Sequence, residues 1–149
     1  MSAQQRREDH TIYPTKKCFD DSLELMTDMV QQTPNWERRD LIHNLHLVHA
    51  IVEPGGRRSS HAWVEHDDND MAYFVGIRNG KRVAMASPRG DYRRLHNVVE
   101  MVRYKLGAVY LMNRTFGTFG PWEERFQQLC GNGDDVVRIE GLPAVQVSE

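Results

Sequence analysis

Asn79-Gly80 stands between two apolar runs, Phe74–Ile77 and Arg82–Met85, and this arrangement predicts a tight β-hairpin. A two-residue hairpin turn requires positive φ, which asparagine and glycine adopt more readily than other residues. The two runs must then be neighbouring antiparallel strands, at about 71–78 and 81–86.

Two further strand-like runs precede this hairpin. Leu45–Val52 is apolar apart from two histidines, and the Pro54-Gly55-Gly56 that follows marks a turn. The pentapeptide His61-Ala62-Trp63-Val64-Glu65 alternates apolar and polar residues, which is typical of a strand. The sequence therefore predicts four consecutive antiparallel strands, at about 45–53, 61–66, 71–78 and 81–86.

Helical spacing brackets the predicted sheet. On its N-terminal side, Thr15 is the predicted N-cap, Thr33-Pro34 ends the helix, and one face carries Phe19, Leu23, Met26, Met29 and Val30. On its C-terminal side, the sequence predicts three more helices. The first has apolar residues at Tyr92, Leu95, Val98, Val99 and Val102, and the second covers about 106–113. The third begins at Pro121 and carries Trp122, Phe126 and Leu129. The predicted class is α+β: an N-terminal helix bearing Cys18 on a four-stranded antiparallel sheet, followed by C-terminal helices.

A chain of 149 residues fits one domain. We assign residues 1–13 to a disordered arm, 14–130 to the domain, and 131–149 to a flexible tail in which 136–139 could add an edge strand.

The net charge of −2 gives no general attraction to nucleic acid. No apolar run reaches the roughly 20 residues that span a bilayer, and the polar start MSAQQRREDH lacks the apolar stretch of a signal peptide. We therefore expect a cytoplasmic protein with no membrane partner.

Cys18 is the candidate nucleophile. It falls in the predicted first helical turn, directly after Lys16 and Lys17, and both a helix N-terminus and nearby cations stabilise a thiolate. The alternative is a small apolar residue packed at the start of the helix. A disulfide with Cys130 is not expected in a reducing compartment.

His61 is the candidate general base, because it starts a strand after a flexible loop and its ring could reach a helix end packed on the sheet. The alternative is a surface histidine at a strand edge. A third residue usually orients the imidazole, but the next strand offers Tyr73 and little else that is polar. Glu65 is four residues along the same strand and too far for contact. Two possibilities therefore remain for the site. It is a Cys18–His61 dyad, or a backbone carbonyl or a water molecule orients the imidazole ring.

Two other interpretations concern the remaining polar residues. His43, His46 and His49 are spaced by three, but on a strand His46 and His49 point to opposite faces, so we expect no metal and no cofactor. A nucleic-acid surface is a further alternative, with ordinary solvated loops favoured over it. Its components would be Arg57, Arg58, Arg78, Lys81, Arg82, Arg89, Arg93 and Arg94, with Tyr92 and Tyr104.

The segments Lys17–Leu23, Leu47–Val52 and His61–Glu65 together resemble a papain-like, transglutaminase-like group of small bacterial and phage proteins. Members pair a cysteine at a helix start with an HAWVE-type strand, and the leader-peptide cysteine proteases of lasso-peptide biosynthesis carry a similar strand. The resemblance covers about residues 14–125 and implies a papain-like fold in which Cys18 is the nucleophile and His61 the general base. The family places an acidic or amide residue at about Phe74 or Val75, where this chain has none.

We therefore expect a cysteine-dependent hydrolase or acyl transferase that acts on a peptide, isopeptide or amide bond, with a peptide or protein as its substrate. The alternative is a catalytically inactive binding protein of the same fold, for instance a phage or prophage inhibitor of a host protein. The missing third residue is the observation that motivates this alternative.

Overall fold

The computed structural model describes residues 13–14, 18–128 and 144–146. The fold is α+β: an N-terminal helix packs on an antiparallel sheet, and further helices follow. This confirms the predicted class, with an N-terminal helix before the sheet and helices after it. The predicted N-cap Thr15, Leu129, Cys130 and the predicted edge strand at 136–139 lie outside the described residues, as does most of the predicted arm and tail.

Helix α1, Cys18–Gln32, carries Asp20 and Asp21 in its first turn. Negative charge at that end interacts favourably with the unpaired N–H groups of a helix N-terminus. The buried side of α1 includes Phe19, Leu23 and Met26, as the apolar spacing predicts, and also Leu25, which lies outside that spacing. A shorter helix, α2 (Arg38–Asn44), leads into the sheet.

The described strands form one antiparallel sheet with the order β6-β2-β3-β4-β5-β7. Its five strands of eight residues are β2 (Leu45–Val52), β3 (Ser59–His66), β4 (Met71–Arg78), β5 (Lys81–Pro88) and β6 (Val98–Lys105). Two short strands complete it: β1 (Tyr13–Pro14) pairs with β4, and β7 (Ala144–Gln146) pairs with β5. The four predicted strands are confirmed, but a sheet of four strands is wrong, because β6 pairs along β2.

Asn79 and Gly80 form the predicted turn between β4 and β5. Their φ angles are 52° and 75°, and the flanking residues Arg78 and Lys81 are paired across the hairpin. A two-residue loop with both φ angles positive is the turn that matches the twist of the adjoining strands.

Residues 92–102 are not one helix, so the helical prediction is wrong beyond His96. Helix α3 covers Arg89–His96, and Asn97 ends it in the left-handed conformation with φ 49°. The valine-rich stretch after Asn97 extends as β6, because β-branched side chains suit a strand and β2 supplies a pairing partner.

The helices after the sheet are α4 (Leu106–Phe116) and α5 (Glu124–Gln127). Helix α4 confirms the helix predicted over 106–113, whereas α5 begins three residues after Pro121 instead of at it. Within the described part of the chain, no helix combines the length and apolarity that crossing a bilayer requires.

Two apolar cores cover the two faces of the sheet. The core beneath α1 and α4 contains Leu47, Val64 and Val75. The core on the other face, beneath α3, contains Trp63 and Tyr92. Because side chains alternate along a strand, β3 contributes Val64 to the first core and Trp63 to the second. Both faces of the strand that carries His61 are therefore covered.

Candidate active site

Cys18 is the first residue of α1 and is present as a half-buried thiol. The backbone N–H groups of a helix's first turn have no partner within the helix, and together with the aligned peptide dipoles they stabilise an anion at that end. The structure thus places the thiol where a thiolate is favoured, at the point that the sequence predicts.

His61 is the third residue of β3 and is only 7% exposed. Its side chain shares a sheet face with Trp63, whose ring centroid lies 5.5 Å from that of the imidazole. Burial lowers the pKa of His61 from 6.5 to about 4. The ring is therefore neutral at neutral pH and its lone pair can accept a proton, but the same burial makes it a weaker base than a solvated imidazole.

Tyr92 supplies the hydrogen-bond partner of His61. The Tyr92 hydroxyl oxygen lies 2.8 Å from His61 Nε2, and both side chains are buried. Phe74 stacks on the Tyr92 ring with centroids 4.4 Å apart, and His96 contacts the ring at the same centroid distance. Burial first, and the charge of Cys18 second, raise the pKa of Tyr92 well above its usual value. Tyr92 is thus a neutral phenol that is hydrogen-bonded to His61.

The sheet is incompletely paired beside His61. Helix α1 covers one face and Tyr92 lies on the other. The ladder between β3 and β4 covers only Val64–His66 and Met71–Tyr73, so the N-terminal half of β3, which includes His61, is not paired with β4. Helix α1 contacts both of these strands. The His61 ring lies on the same face as Trp63 and Tyr92, opposite the core beneath α1, which differs from the prediction that it reaches the start of that helix.

His96 extends the cluster around His61. Its ring stacks on that of His61 with centroids 4.5 Å apart, and its Nε2 has no hydrogen-bond partner among the described residues. Burial, and after it the neighbouring His61, lower the pKa of His96 well below 6.5. His96 is therefore neutral and adds no positive charge beside His61.

A buried carboxylate fixes the far end of the same strand. Glu65 is fully buried and accepts hydrogen bonds from Trp63 Nε1 at 2.9 Å, Arg93 Nη2 at 2.5 Å and Arg103 Nε at 3.1 Å. Arg89 extends the network by pairing with Asp67 at 2.6 Å. These ion pairs tie β3 to α3 and β6, so the position of His61 relative to Tyr92 is set by charged groups on three elements.

The sequence did not identify a third residue that would orient the imidazole of His61. Phe74 and Val75 are both buried, and they lie in opposite cores. Tyr92, on a helix that follows the sheet, occupies the hydrogen-bonding position at His61 instead. Its four-residue spacing from His96 puts both on one helical face, and that spacing was the available signal.

The two alternative sites, a histidine metal site and a nucleic-acid surface, do not assemble among the described residues. His43 is exposed on α2, and the buried His46 and His49 point to opposite faces of β2, as expected for a strand. No group of three metal-ligating side chains occurs within the described residues. Tyr92 and Tyr104 are buried, so their rings are not exposed for stacking on bases.

A scan of protein-family models, a search of curated proteins and a search of solved structures each found no match to this chain.

Proposed function

We propose that this protein is a cysteine-dependent hydrolase or acyl transferase of papain-like fold. It would act in the cytoplasm on a peptide, isopeptide or amide bond. The observation that supports this most is the hydrogen bond between Tyr92 and the buried His61, which gives the imidazole a fixed orientation. Cys18 at the start of α1 would supply the thiol. A thiol, an imidazole and a group that orients the imidazole are the parts such chemistry requires.

In the proposed reaction, the Cys18 sulfur attacks the substrate carbonyl while His61 takes the thiol proton. The first-turn amides of α1 stabilise the oxyanion. The tetrahedral intermediate then collapses, the carbon–nitrogen bond breaks, and the proton passes from His61 to the leaving amine. Water, or a second amine, cleaves the resulting thioester and regenerates the thiol.

The tautomer of His61 follows from its role. If Nε2 carries the hydrogen and donates it to the Tyr92 oxygen, the lone pair of Nδ1 is available to the thiol. Because Tyr92 is neutral, the imidazolium that forms gains no charge partner from it. Tyr92 therefore orients the ring but stabilises its cation less than a carboxylate would, and we expect slow turnover.

Fluorogenic peptide amides give a direct test of the reaction. A panel with varied residues next to the aminocoumarin should contain substrates that the wild-type chain cleaves and that Cys18→Ala does not. Cys130→Ala is the matched control, because it removes the chain's other thiol, and it should keep full turnover. Turnover that persists in Cys18→Ala excludes Cys18 as the nucleophile.

The second candidate is a catalytically inactive binding protein of the same fold. The absence of a carboxylate or amide at Phe74 and Val75, and the near-complete burial of His61, favour it. It predicts no cleavage of any amide in the panel and a stoichiometric complex with a protein partner that Cys18→Ala still binds.

A further inference from the structure

A groove of about 560 Å³ runs between α1 and α4, separate from the His61–Tyr92 cluster. Leu25 and Val75 are among its buried apolar lining residues. One side carries the carboxylates of Asp21, Glu24 and Asp28, which recur every three or four residues on α1 and so share a helix face.

The charge of this groove is unbalanced. Arg82 is the basic residue in its lining, and its Nη2 lies 2.8 Å from Asp21 Oδ1 and 3.6 Å from Glu24 Oε2. Asp28 makes no ion pair with any described residue. One arginine therefore faces three carboxylates, and the Glu24 side chain is 59% exposed. The groove attracts a cation.

Aromatic rings complete the lining. Tyr110 and Phe119 border the groove and are 53% and 40% exposed. Exposed aromatic faces beside carboxylates suit a guanidinium, which pairs with carboxylates through its edge and stacks on rings through its face. The apolar side chains that line the groove beside the carboxylates suit the rest of a peptide better than an isolated ion.

We propose that this groove binds an arginine-bearing peptide segment of a partner protein. The arginine would lie between the carboxylates of Glu24 and Asp28 and the ring of Tyr110, with apolar neighbours of the peptide over Val75. Acidic partners, and a second copy of this chain approaching with the same face, would be repelled by the same charges. The inference does not depend on thiol chemistry, because neither Cys18 nor His61 lines the groove.

The test is fluorescence anisotropy on the full chain. The probe is a fluorescein-labelled peptide in which arginine alternates with leucine, and the matched peptide has glutamate in place of arginine. We expect the arginine peptide to bind and the glutamate peptide not to bind. Replacing each arginine with lysine should weaken binding, because lysine does not stack on a ring as a guanidinium does.

Variants localise the binding. Glu24→Gln and Asp28→Asn should each lower the affinity for the arginine peptide by roughly two- to fivefold, the range of an exposed ion pair. Tyr110→Ala should lower this affinity by a similar factor. The control is Glu37→Gln with Asp40→Asn, which removes two exposed carboxylates elsewhere and should leave binding unchanged. Equal losses in the control, equal binding of the glutamate peptide, or no binding of the arginine peptide would overturn the proposal.

Discussion

The Nε2 atom of His61 lies 2.8 Å from the hydroxyl oxygen of Tyr92, although the two residues are 31 positions apart in the chain. The bond joins β3 to α3, and both partners are buried. A hydrogen bond formed away from water is sensitive to the loss of either partner, because the remaining group cannot be solvated. The proposed site therefore depends on a tyrosine that the sequence pattern assigns only to an amphipathic helix.

Tyr92→Phe tests this bond with little change in shape. It leaves a buried imidazole nitrogen without its partner, so we expect the free energy of unfolding to fall by roughly 1–3 kcal/mol. Tyr104→Phe is the matched control. Its hydroxyl is also buried but has no hydrogen-bond partner among the described residues, so its removal should leave stability unchanged or higher.

The two phenylalanine variants should also differ in chemistry. Tyr92→Phe should slow the alkylation of Cys18 at pH 6, since His61 loses its orientation, whereas Tyr104→Phe should not. Urea unfolding and iodoacetamide kinetics measure the two effects separately. If both variants lose stability equally and neither changes the alkylation rate, Tyr92 is only a core residue.

Glu65→Gln should be among the most damaging single substitutions in the sheet. It keeps the size of the side chain but removes the charge that Arg93 and Arg103 surround in a fully buried position. Breaking a buried ion pair from one side costs roughly 3–5 kcal/mol. Asp67→Asn, at a side chain that is 36% exposed, should cost only about 1 kcal/mol. Equal losses in urea unfolding would show that the burial of Glu65 does not matter.

Acid should destabilise the fold through its buried histidines. Burial lowers the pKa of His49 from 6.5 to about 3, so between these values the unfolded chain binds a proton that the folded chain does not. The contribution of neutral His49 to the free energy of unfolding is therefore fully present above about pH 6.5 and is lost as the pH falls towards 3. At pH 5 this residue alone should cost about 2 kcal/mol, and His61 acts in the same direction.

His49→Phe isolates this contribution. The ring of His49 contacts Phe19, Tyr104 and Trp122, so a phenylalanine keeps the aromatic packing and removes the titration. We expect the loss of stability between pH 7.5 and pH 5 to shrink by about 2 kcal/mol. The exposed His43, changed to Gln, is the control and should leave the loss unchanged. An unaltered pH dependence in His49→Phe would contradict the assignment.

The sheet was predictable where local chemistry dictates it. Asn79-Gly80 requires a hairpin, and the alternation of residues 61–65 requires a strand with two different faces. Strand β6 was not predictable in the same way, because Val98, Val99 and Val102 also fit helical spacing. What decides the outcome is the left-handed Asn97 and the pairing with β2, and the second of these is a long-range contact that no local pattern contains.

The candidate site was predictable to a similar extent. A cysteine at a helix start and a histidine on a strand are local features, and the structure has Cys18 at the start of α1 and His61 on β3. That the two act together stays a prediction. The partner of His61 depends on how α3 packs across the sheet, so Tyr92 could not be identified from the neighbours of His61 in sequence. Its spacing from His96 indicates only a shared helical face.

The rate at which iodoacetamide alkylates Cys18, measured against pH in wild type and in His61→Ala, is the first experiment to perform. Mass spectrometry of the peptide that contains Cys18 separates its signal from that of Cys130. If His61 is the base for this thiol, the wild-type rate stays high well below the ordinary thiol pKa of about 8.5, and at pH 6 it exceeds the variant's rate by roughly tenfold or more. Identical profiles in the two proteins, both centred near that ordinary pKa, would show that Cys18 and His61 do not act as a pair.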